Sequence, residues 1–228
     1  MPGNFEINYR LISVHRHAQF ATSICPSSFL LKADEDVVFN IDRFFRGIGP
    51  VFKPQYESVF GMVWTGMKSF REVNSAWYVS YAQYNGTELP RYTSGPAYVL
   101  TTKAIRKILQ GTSKQDMVYV EDVLVTGLLS QQQGVSRIDL PDMFQSSTEF
   151  PKDCPKTEYN TRALLSKHDF KTPEEIEKAW NNLRQECPDN TTTPSPKRET
   201  RPAKTSPGKI DNTSIAKSEV ANKTIEKH

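Results

Sequence analysis

The chain has 228 residues, enough for one sizeable domain, and 11% of them are aromatic, which can supply a packed core. Residues 188–228 hold 8 Lys or Arg and 5 Asp or Glu but no aromatic residue, which leaves 21 charges of each sign in residues 1–187. A neutral body argues against a nucleic-acid-binding face, and the polar segment 188–228 is predicted to be a disordered tail. No apolar run approaches the roughly 20 residues of a membrane-spanning helix, so no membrane span is expected in this chain.

Short apolar runs alternate with helical patterns along the chain. Strands are predicted over residues 29–31, 59–63, 77–79, 98–100 and 135–140. Helices are predicted over 7–24, over 103–109 with Thr102 as the cap, and over 121–133. A short helix is predicted from a cap at Asn40 or Asp42 to Gly47. A last helix is predicted after a cap at Thr172, with Trp180 and Leu183 facing inward. Strands separated by helices predict an α/β fold.

The acidic segment Asp34-Glu35-Asp36 follows the first predicted strand directly and precedes a second apolar run. Adjacent carboxylates repel one another, and a divalent cation removes that conflict. Asp34 and Asp36 can turn to the same side of an extended chain end, and carboxylate oxygens suit Mg²⁺ or Mn²⁺. The alternative is a solvated turn, which the flanking apolar runs disfavour.

A second pair of acids, Glu121 and Asp122, opens a predicted helix after the apolar run 118–120. The helix N-terminus stabilises an ionised carboxylate at this place, and in a cleft Asp122 would act as a general base toward a sugar hydroxyl. A capping aspartate without chemistry is the other interpretation of the same pattern.

Three further features are weaker by themselves. Gly95, after Ser94, permits a close approach of the backbone to a ligand, and a plain turn explains it equally well. His168 is a lone histidine, a residue more often structural than a ligand. Asn85 begins an Asn-Gly-Thr sequon in a polar turn and is the best candidate for glycosylation if the chain enters a secretory lumen.

The order of these motifs closely resembles the beta-1,3-galactosyltransferase family, which includes the beta-1,3-N-acetylglucosaminyltransferases. The resemblance runs from about residue 5 to residue 187, and it is carried by segments 32–37, 77–78, 90–95 with 98–100, 121–123 with Gly127, and His168 with 173–175 and Trp180. It implies a GT-A-like glycosyltransferase fold, a location on the lumenal side of the Golgi membrane, Mn²⁺ as cofactor, and a UDP-sugar as donor. The implied reaction moves galactose or N-acetylglucosamine to a hydroxyl of a glycan acceptor, on a glycoprotein or glycolipid, in a beta-1,3 linkage with inversion.

The resemblance also implies roles for single residues. Asp34 and Asp36 match the Asp-x-Asp that holds the metal and the donor; Asp36 would bind the ion, and Asp34 would support the ribose or metal-bound waters. His168 would complete the metal shell. Asp122 would be the general base, and Glu121 would orient the acceptor or the base.

Other positions matched by the resemblance line the cleft or form a crosslink. The residues expected to line the donor and acceptor cleft are Trp77, Tyr78, Tyr92, Ser94 and Gly95. Because the family often carries cysteines near both places, the resemblance implies a disulfide between Cys154 and Cys187, with Cys25 left free.

Two features depart from the family pattern. Ala97 stands where family members usually have a second glycine, which narrows the cleft slightly. The first strands of the nucleotide-binding half have no counterpart, so residues 1–187 are expected to be a partial catalytic domain. Two hypotheses follow: an inverting hexosyltransferase, or a truncated and inactive relative that binds a glycan or a partner protein. Binding of UDP with Mn²⁺ would distinguish them.

Overall fold

The structure, a computed structural model, describes residues 16, 18–20, 22–24, 27–112, 118–146, 148–150, 154, 156 and 162–187. Most of the predicted helix over 7–24, the whole segment 188–228 and Cys25 lie outside these residues. The described strands are β1 (Phe29–Ala33), β2 (Val38–Phe39), β3 (Ser58–Gly61), β4 (Val63–Trp64), β5 (Tyr92–Thr93), β6 (Ala97–Thr101), β7 (Ser136–Asp139) and β8 (Ser166–Lys167).

The central element is a mixed four-stranded sheet in the order β1-β6-β3-β7. Strand β6 pairs antiparallel with both β1 and β3, whereas β7 runs parallel to β3. Two small antiparallel pairs, β2 with β8 and β4 with β5, lie outside this sheet. The predicted runs 29–31, 98–100 and 135–140 therefore form β1, β6 and β7.

Two strand predictions need correction. The run 59–63 is not one strand, because the chain leaves the central sheet after Gly61 and pairs again as β4 with β5. The run 77–79 is not a strand at all. It lies in an irregular loop. The Arg71 guanidinium donates hydrogen bonds to backbone carbonyl oxygens of this loop, those of Val79, Tyr84 and Gly86, at 2.6–2.8 Å.

The described helices are α1 (Ile41–Gly47), α2 (Thr102–Gly111), α3 (121–132) and α4 (Pro173–Leu183). Asn40 caps α1, as one of the two predicted alternatives. The cap of α2 is Thr101 rather than Thr102, since the Thr101 hydroxyl accepts from the Ala104 N–H at 3.1 Å. Thr172 caps α4 in a reciprocal capping box with Glu175, as its sequence pattern predicts.

Helix α3 departs from a regular α-helix. Its middle, Val123–Leu129, is π-helical, and Ser130–Gln132 follow as a single α-turn. The Ser130 hydroxyl donates to the Val125 carbonyl, five residues earlier, at 2.9 Å. Such π segments are rare and often occur at functional sites.

The two inner strands of the central sheet, β3 and β6, are buried on both faces. Side chains alternate along each strand, so Val59, Tyr98 and Leu100 enter the core that packs against α2 and α3, whereas Phe60 and Val99 enter a second, Phe-rich core. A third cluster joins Val38, Leu164, Phe170, Ala179 and Leu183, with Trp180 packed at its edge, and fixes α4 against β2. Leu183 is fully buried and Trp180 only partly.

Within the described ranges, we find no helix with the length and apolar character needed to cross a membrane.

Candidate active site

The small β2–β8 pair brings together residues that are far apart in sequence. Val38 pairs with Lys167 in this ladder, so Asp36, two residues before Val38, comes beside His168, the residue after Lys167. Asp36, His168 and Asp169 each offer one ligand atom, and these atoms lie within 4.8 Å of one another. The predicted convergence of Asp36 with His168 is confirmed, and Asp169 joins them.

The two acids of the first motif have different surroundings. Asp34 Oδ1 accepts from the Lys32 ammonium group at 2.5 Å, and the Asp34 N–H donates to the Pro96 carbonyl at 2.9 Å. Among the described residues, the group of candidate cation ligands contains Asp36 but not Asp34. The sequence predicts a cluster that includes Asp34, whereas in the structure Asp169 takes that place.

Asp169 owes its position to an uncommon backbone conformation. Its φ is 78°, in the left-handed region that non-glycine residues seldom adopt, although Asp is among those that tolerate it best. The exposed Lys171 ammonium donates to Asp169 Oδ1. This hydrogen bond lowers the pKa of Asp169 and raises that of Lys171, to which the charge of Asp36 also contributes.

Asp122 stands at the start of the π-helical segment, as the sequence predicts. Its Oδ1 accepts from the Val123 N–H at 2.8 Å, and its backbone carbonyl accepts from the Thr126 hydroxyl at 2.6 Å. Burial raises the pKa of Asp122 to about 7, and the neighbouring charge of Glu121 adds to the shift. The Val123 N–H and the Lys32 charge oppose it. A carboxyl with this pKa is suited to accept a proton near neutral pH.

Gly95 lies directly against Asp122. A Cβ atom at Gly95 would come within 2.9 Å of Asp122 Oδ2, so the close approach depends on glycine. The buried Thr126 hydroxyl accepts from the Thr93 N–H at 2.8 Å, which fixes the chain just before Ser94 to helix α3. Gly95 therefore has a packing reason in this fold, and a plain turn does not account for it.

Glu121 is held from two sides. The fully buried Tyr98 donates its hydroxyl hydrogen to Glu121 Oε1, and Lys32 Nζ lies 3.7 Å from Glu121 Oε2. Burial raises the pKa of Glu121, and the Lys32 charge and the Tyr98 hydrogen bond oppose that rise. Burial also raises the pKa of Tyr98 well above its ordinary value, with a further contribution from Glu121.

A pocket lies between the loop that holds Gly95 and the segment that holds His168. Ser94 and Pro96, which flank Gly95, line one side, and Val37, Lys167 and His168 line another. The same short loop therefore contacts the general-base candidate through Gly95 and lines, through Ser94 and Pro96, a pocket that His168 also lines. His168 is the candidate cation ligand that lines this pocket, and a shared cleft for Asp122 and Asp36 stays a prediction.

The remaining predicted cleft residues differ in exposure. Trp77 is 60% exposed and packs against Phe70 with ring centroids 5.9 Å apart. Tyr78 is half-buried and Tyr92 is buried; burial raises the pKa of Tyr92 to about 12, and the charge of Asp122 adds to this rise. Asn85 is exposed, which suits its predicted glycosylation. Their roles in binding and modification stay predictions.

The predicted crosslink is present. Cys154 and Cys187 form a disulfide with Cα atoms 5.7 Å apart, and it encloses the segment that carries β8 and His168. The bond ties that segment to the chain just beyond the last described helix, α4.

Sequence reasoning missed Lys32 and Asp169 as members of the site. Lys32 is two residues before Asp34. Because successive side chains of a strand point to opposite faces, residues two apart lie on the same face, which would place both side chains together. No comparable signal exists for Asp169, because its orientation depends on a positive φ that the sequence does not reveal. Tyr98 belongs to the segment 98–100 that carries the family resemblance, but the sequence predicts no role for it in the site.

The structure is thus a mixed α/β protein with an aspartate of raised pKa at the start of α3 and a group of potential cation ligands beside β8. The chain belongs to the galactosyltransferase family, whose sequence model matches residues 8–141, more than half of the chain. It is thus a member of a family of glycosyltransferase enzymes.

Individual relatives agree with this assignment. The chain is similar to a beta-1,3-galactosyltransferase of Caenorhabditis elegans, with 29% identity over 143 residues, 60% of this chain and 39% of that protein. It is 27% identical over 119 residues to the human lactosylceramide 1,3-N-acetyl-beta-D-glucosaminyltransferase, which covers 51% of this chain and 31% of that protein. A beta-1,3-galactosyltransferase of Drosophila melanogaster is 24% identical over 159 residues, 69% of this chain and 47% of that protein. The chain thus spans less than half the length of these relatives.

Proposed function

We propose that this chain has a GT-A-like fold and carries the catalytic centre of an inverting hexosyltransferase that moves galactose or N-acetylglucosamine from a UDP-sugar to a glycan hydroxyl in a beta-1,3 linkage. The observation that carries the proposal is Asp122, which combines a helix-start position, a pKa of about 7 and contact with Gly95, whose neighbours Ser94 and Pro96 line the pocket. The names of the relatives support the same class of donor and linkage.

The group Asp36, His168 and Asp169 fits a Mn²⁺ ion. Two carboxylates and one imidazole within 4.8 Å combine the hard oxygen ligands that Mn²⁺ favours with a nitrogen ligand that it accepts. When bound, the ion would offset the charge that builds on the departing diphosphate. Asp34 is already engaged by Lys32, so we assign it to support of the donor rather than to the ion.

Asp122 would accept the proton of the acceptor hydroxyl. As the acceptor oxygen forms its bond to the anomeric carbon, the bond from that carbon to the diphosphate breaks on the opposite face, so a single displacement inverts the configuration. The proton goes to Asp122, and the electron pair leaves with the UDP. Glu121 has Tyr98 and Lys32 as partners, and we assign it the role of orienting Asp122, the residue that follows it.

A location in the Golgi lumen suits two features of the surface. The Cys154–Cys187 disulfide persists in oxidising compartments, and the exposed Asn85 is available for glycosylation there.

The proposal is tested on the chain itself by calorimetry with UDP and Mn²⁺, followed by transfer assays with UDP-galactose and UDP-N-acetylglucosamine. Asp122→Asn should retain UDP binding and lose transfer by about 10²–10⁴-fold, because a general base is removed while the donor contacts remain. Asp42→Asn, an exposed acid in the first turn of α1, is the matched control and should behave like the wild type. Transfer by Asp122→Asn at the wild-type rate would assign the base to another residue, and a chain that binds no UDP would support the inactive relative.

The pKa of Asp122 makes a second, independent test. Because its folded pKa is raised to about 7, the carboxyl favours folding below its unfolded pKa and loses that contribution as the pH rises through 7. Asp122→Asn should therefore resist urea better than the wild type at pH 8 and equally well at pH 4. Transfer by the wild type should rise with pH over the same range, since only the ionised base accepts a proton.

A further inference from the structure

Lys32 lies where the two acidic motifs and the glycine loop meet. It is on β1, opposite Tyr98 in the antiparallel ladder, so the two side chains emerge from the same face of the sheet. The Lys32 side chain is only 18% exposed to solvent, and its ammonium group lies 5.8 Å from the centre of the Tyr98 ring. No role in this site was assigned to Lys32 from the sequence.

The ammonium group has three hydrogens, and three oxygens surround it. Lys32 Nζ lies 2.5 Å from Asp34 Oδ1, 2.5 Å from the Gly95 carbonyl oxygen and 3.7 Å from Glu121 Oε2. These oxygens come from three separate elements: the chain after β1, the loop before β6 and the start of α3. A partly buried lysine with this many acceptors fixes geometry more firmly than an exposed ion pair does.

We propose that Lys32 is a positioning residue of the transfer site, which holds the Gly95 loop and the acidic pair at the start of α3 in register with the first acidic motif. This inference rests on the proposed function. Lys32 does not reach the reacting atoms itself. It acts through Gly95, whose Cα lies against the Asp122 carboxylate, and through Glu121, the residue before the base.

The charge of Lys32 also bears on the ionisation of Asp122. The charged and titratable groups that influence this carboxyl, or are influenced by it, are Glu121, Lys32, Tyr92 and Tyr98. Of these groups, Lys32 is the cation. Its charge lowers the pKa of Asp122, whereas burial and the charge of Glu121 raise it. Removal of the ammonium charge should therefore leave the base harder to ionise.

The test uses three substitutions of Lys32 and one control. Lys32→Met removes the charge and the donors but keeps a long apolar stem, Lys32→Gln keeps donors without charge, and Lys32→Arg keeps both. Lys103→Met is the matched control, because Lys103 also donates to a backbone carbonyl, that of Gln55, but is exposed on α2. Circular dichroism and thermal melting show which variants fold.

The main readout is the titration of the Asp122 carboxyl by ¹³C NMR, assigned with Asp122→Asn. We expect Lys32→Met and Lys32→Gln to raise its midpoint by roughly one pH unit, as expected for loss of a nearby opposite charge. Lys32→Arg and Lys103→Met should keep the wild-type midpoint. If Lys32→Met does not fold, Lys32→Gln decides the question. A wild-type midpoint in a folded Lys32→Met or Lys32→Gln chain would overturn the proposal.

The second readout is the dependence of the transfer rate on pH. The rising limb should move by the same amount in Lys32→Met and Lys32→Gln, whereas a merely structural lysine would lower the rate equally at every pH. If the wild type transfers no sugar, the proposed function fails, and the NMR titration still decides the role of Lys32.

Discussion

The disulfide between Cys154 and Cys187 offers a prediction whose magnitude follows from the structure. The two cysteines are separated by 33 positions, and the chain-entropy relation for a closed loop of that size gives about 3.7 kcal/mol of stabilisation at 25 °C. The loop contains β8, which holds His168 beside Asp36 through its pairing with β2. Loss of the bond should therefore weaken both folding and cation binding.

The perturbation is the double substitution Cys154→Ser and Cys187→Ser. Urea unfolding followed by tryptophan fluorescence should show a loss of 2–4 kcal/mol, a shift of roughly 1–2 M in the midpoint. Titration with Mn²⁺, followed by electron paramagnetic resonance, should show weaker binding under conditions in which the variant is folded. Cys25→Ser is the control for loss of a thiol and should leave both values unchanged.

Two outcomes would contradict the predicted contribution of the disulfide to stability and to Mn²⁺ binding. If the double variant unfolds within about 0.5 kcal/mol of the wild type, the loop does not gain its order from the bond, and packing of α4 in the third cluster is sufficient. If stability falls and Mn²⁺ affinity does not, the bond contributes to folding without positioning His168.

Three further predictions concern single side chains. Tyr98→Phe should lower the free energy of unfolding by about 1.5–3 kcal/mol in urea titrations, because the buried Glu121 loses a hydrogen bond; an unchanged midpoint would contradict this. Gly95→Ala should reduce kcat by up to about 10²-fold with UDP affinity intact, since its Cβ would displace the Asp122 carboxylate; equal rates would show that the loop gives way. Thr172→Ala should cost about 1 kcal/mol by thermal melting through loss of the α4 cap, with Thr172→Ser restoring most of it.

Local chemistry in the sequence determined most of the framework. The apolar run that forms β6 is visible because a strand buried on both faces needs continuous apolar residues, and the run that forms β1 is similarly apolar, whereas β7 is mostly exposed. Asn40 and Thr172 were recognisable as caps, since a short polar side chain before a helix satisfies its free N–H groups. The order of motifs indicated the family. In the structure Asp36 lies beside His168, as that resemblance implies.

Local signals failed where long-range contacts decide the conformation. The run 77–79 has strand-like residues, but no strand lies beside it in the described part of the chain, and the Arg71 guanidinium satisfies its carbonyl groups instead. The cap of α2 moved from Thr102 to Thr101, because both threonines can cap and only the end of β6 fixes which one does.

The contacts that distinguish the acids from one another are visible only in the tertiary structure. The resemblance implies different roles for Asp34 and Asp36, and the structure adds their contacts: Lys32 engages Asp34, and the β2–β8 pairing brings Asp36 beside His168. The pKa of Asp122 likewise depends on burial and on Glu121, which a linear pattern does not report. The sequence thus determined which residues could do the chemistry. Contacts across more than 100 positions of chain, such as the 121 that separate Arg43 from the Leu164 carbonyl it binds, decided how they are arranged.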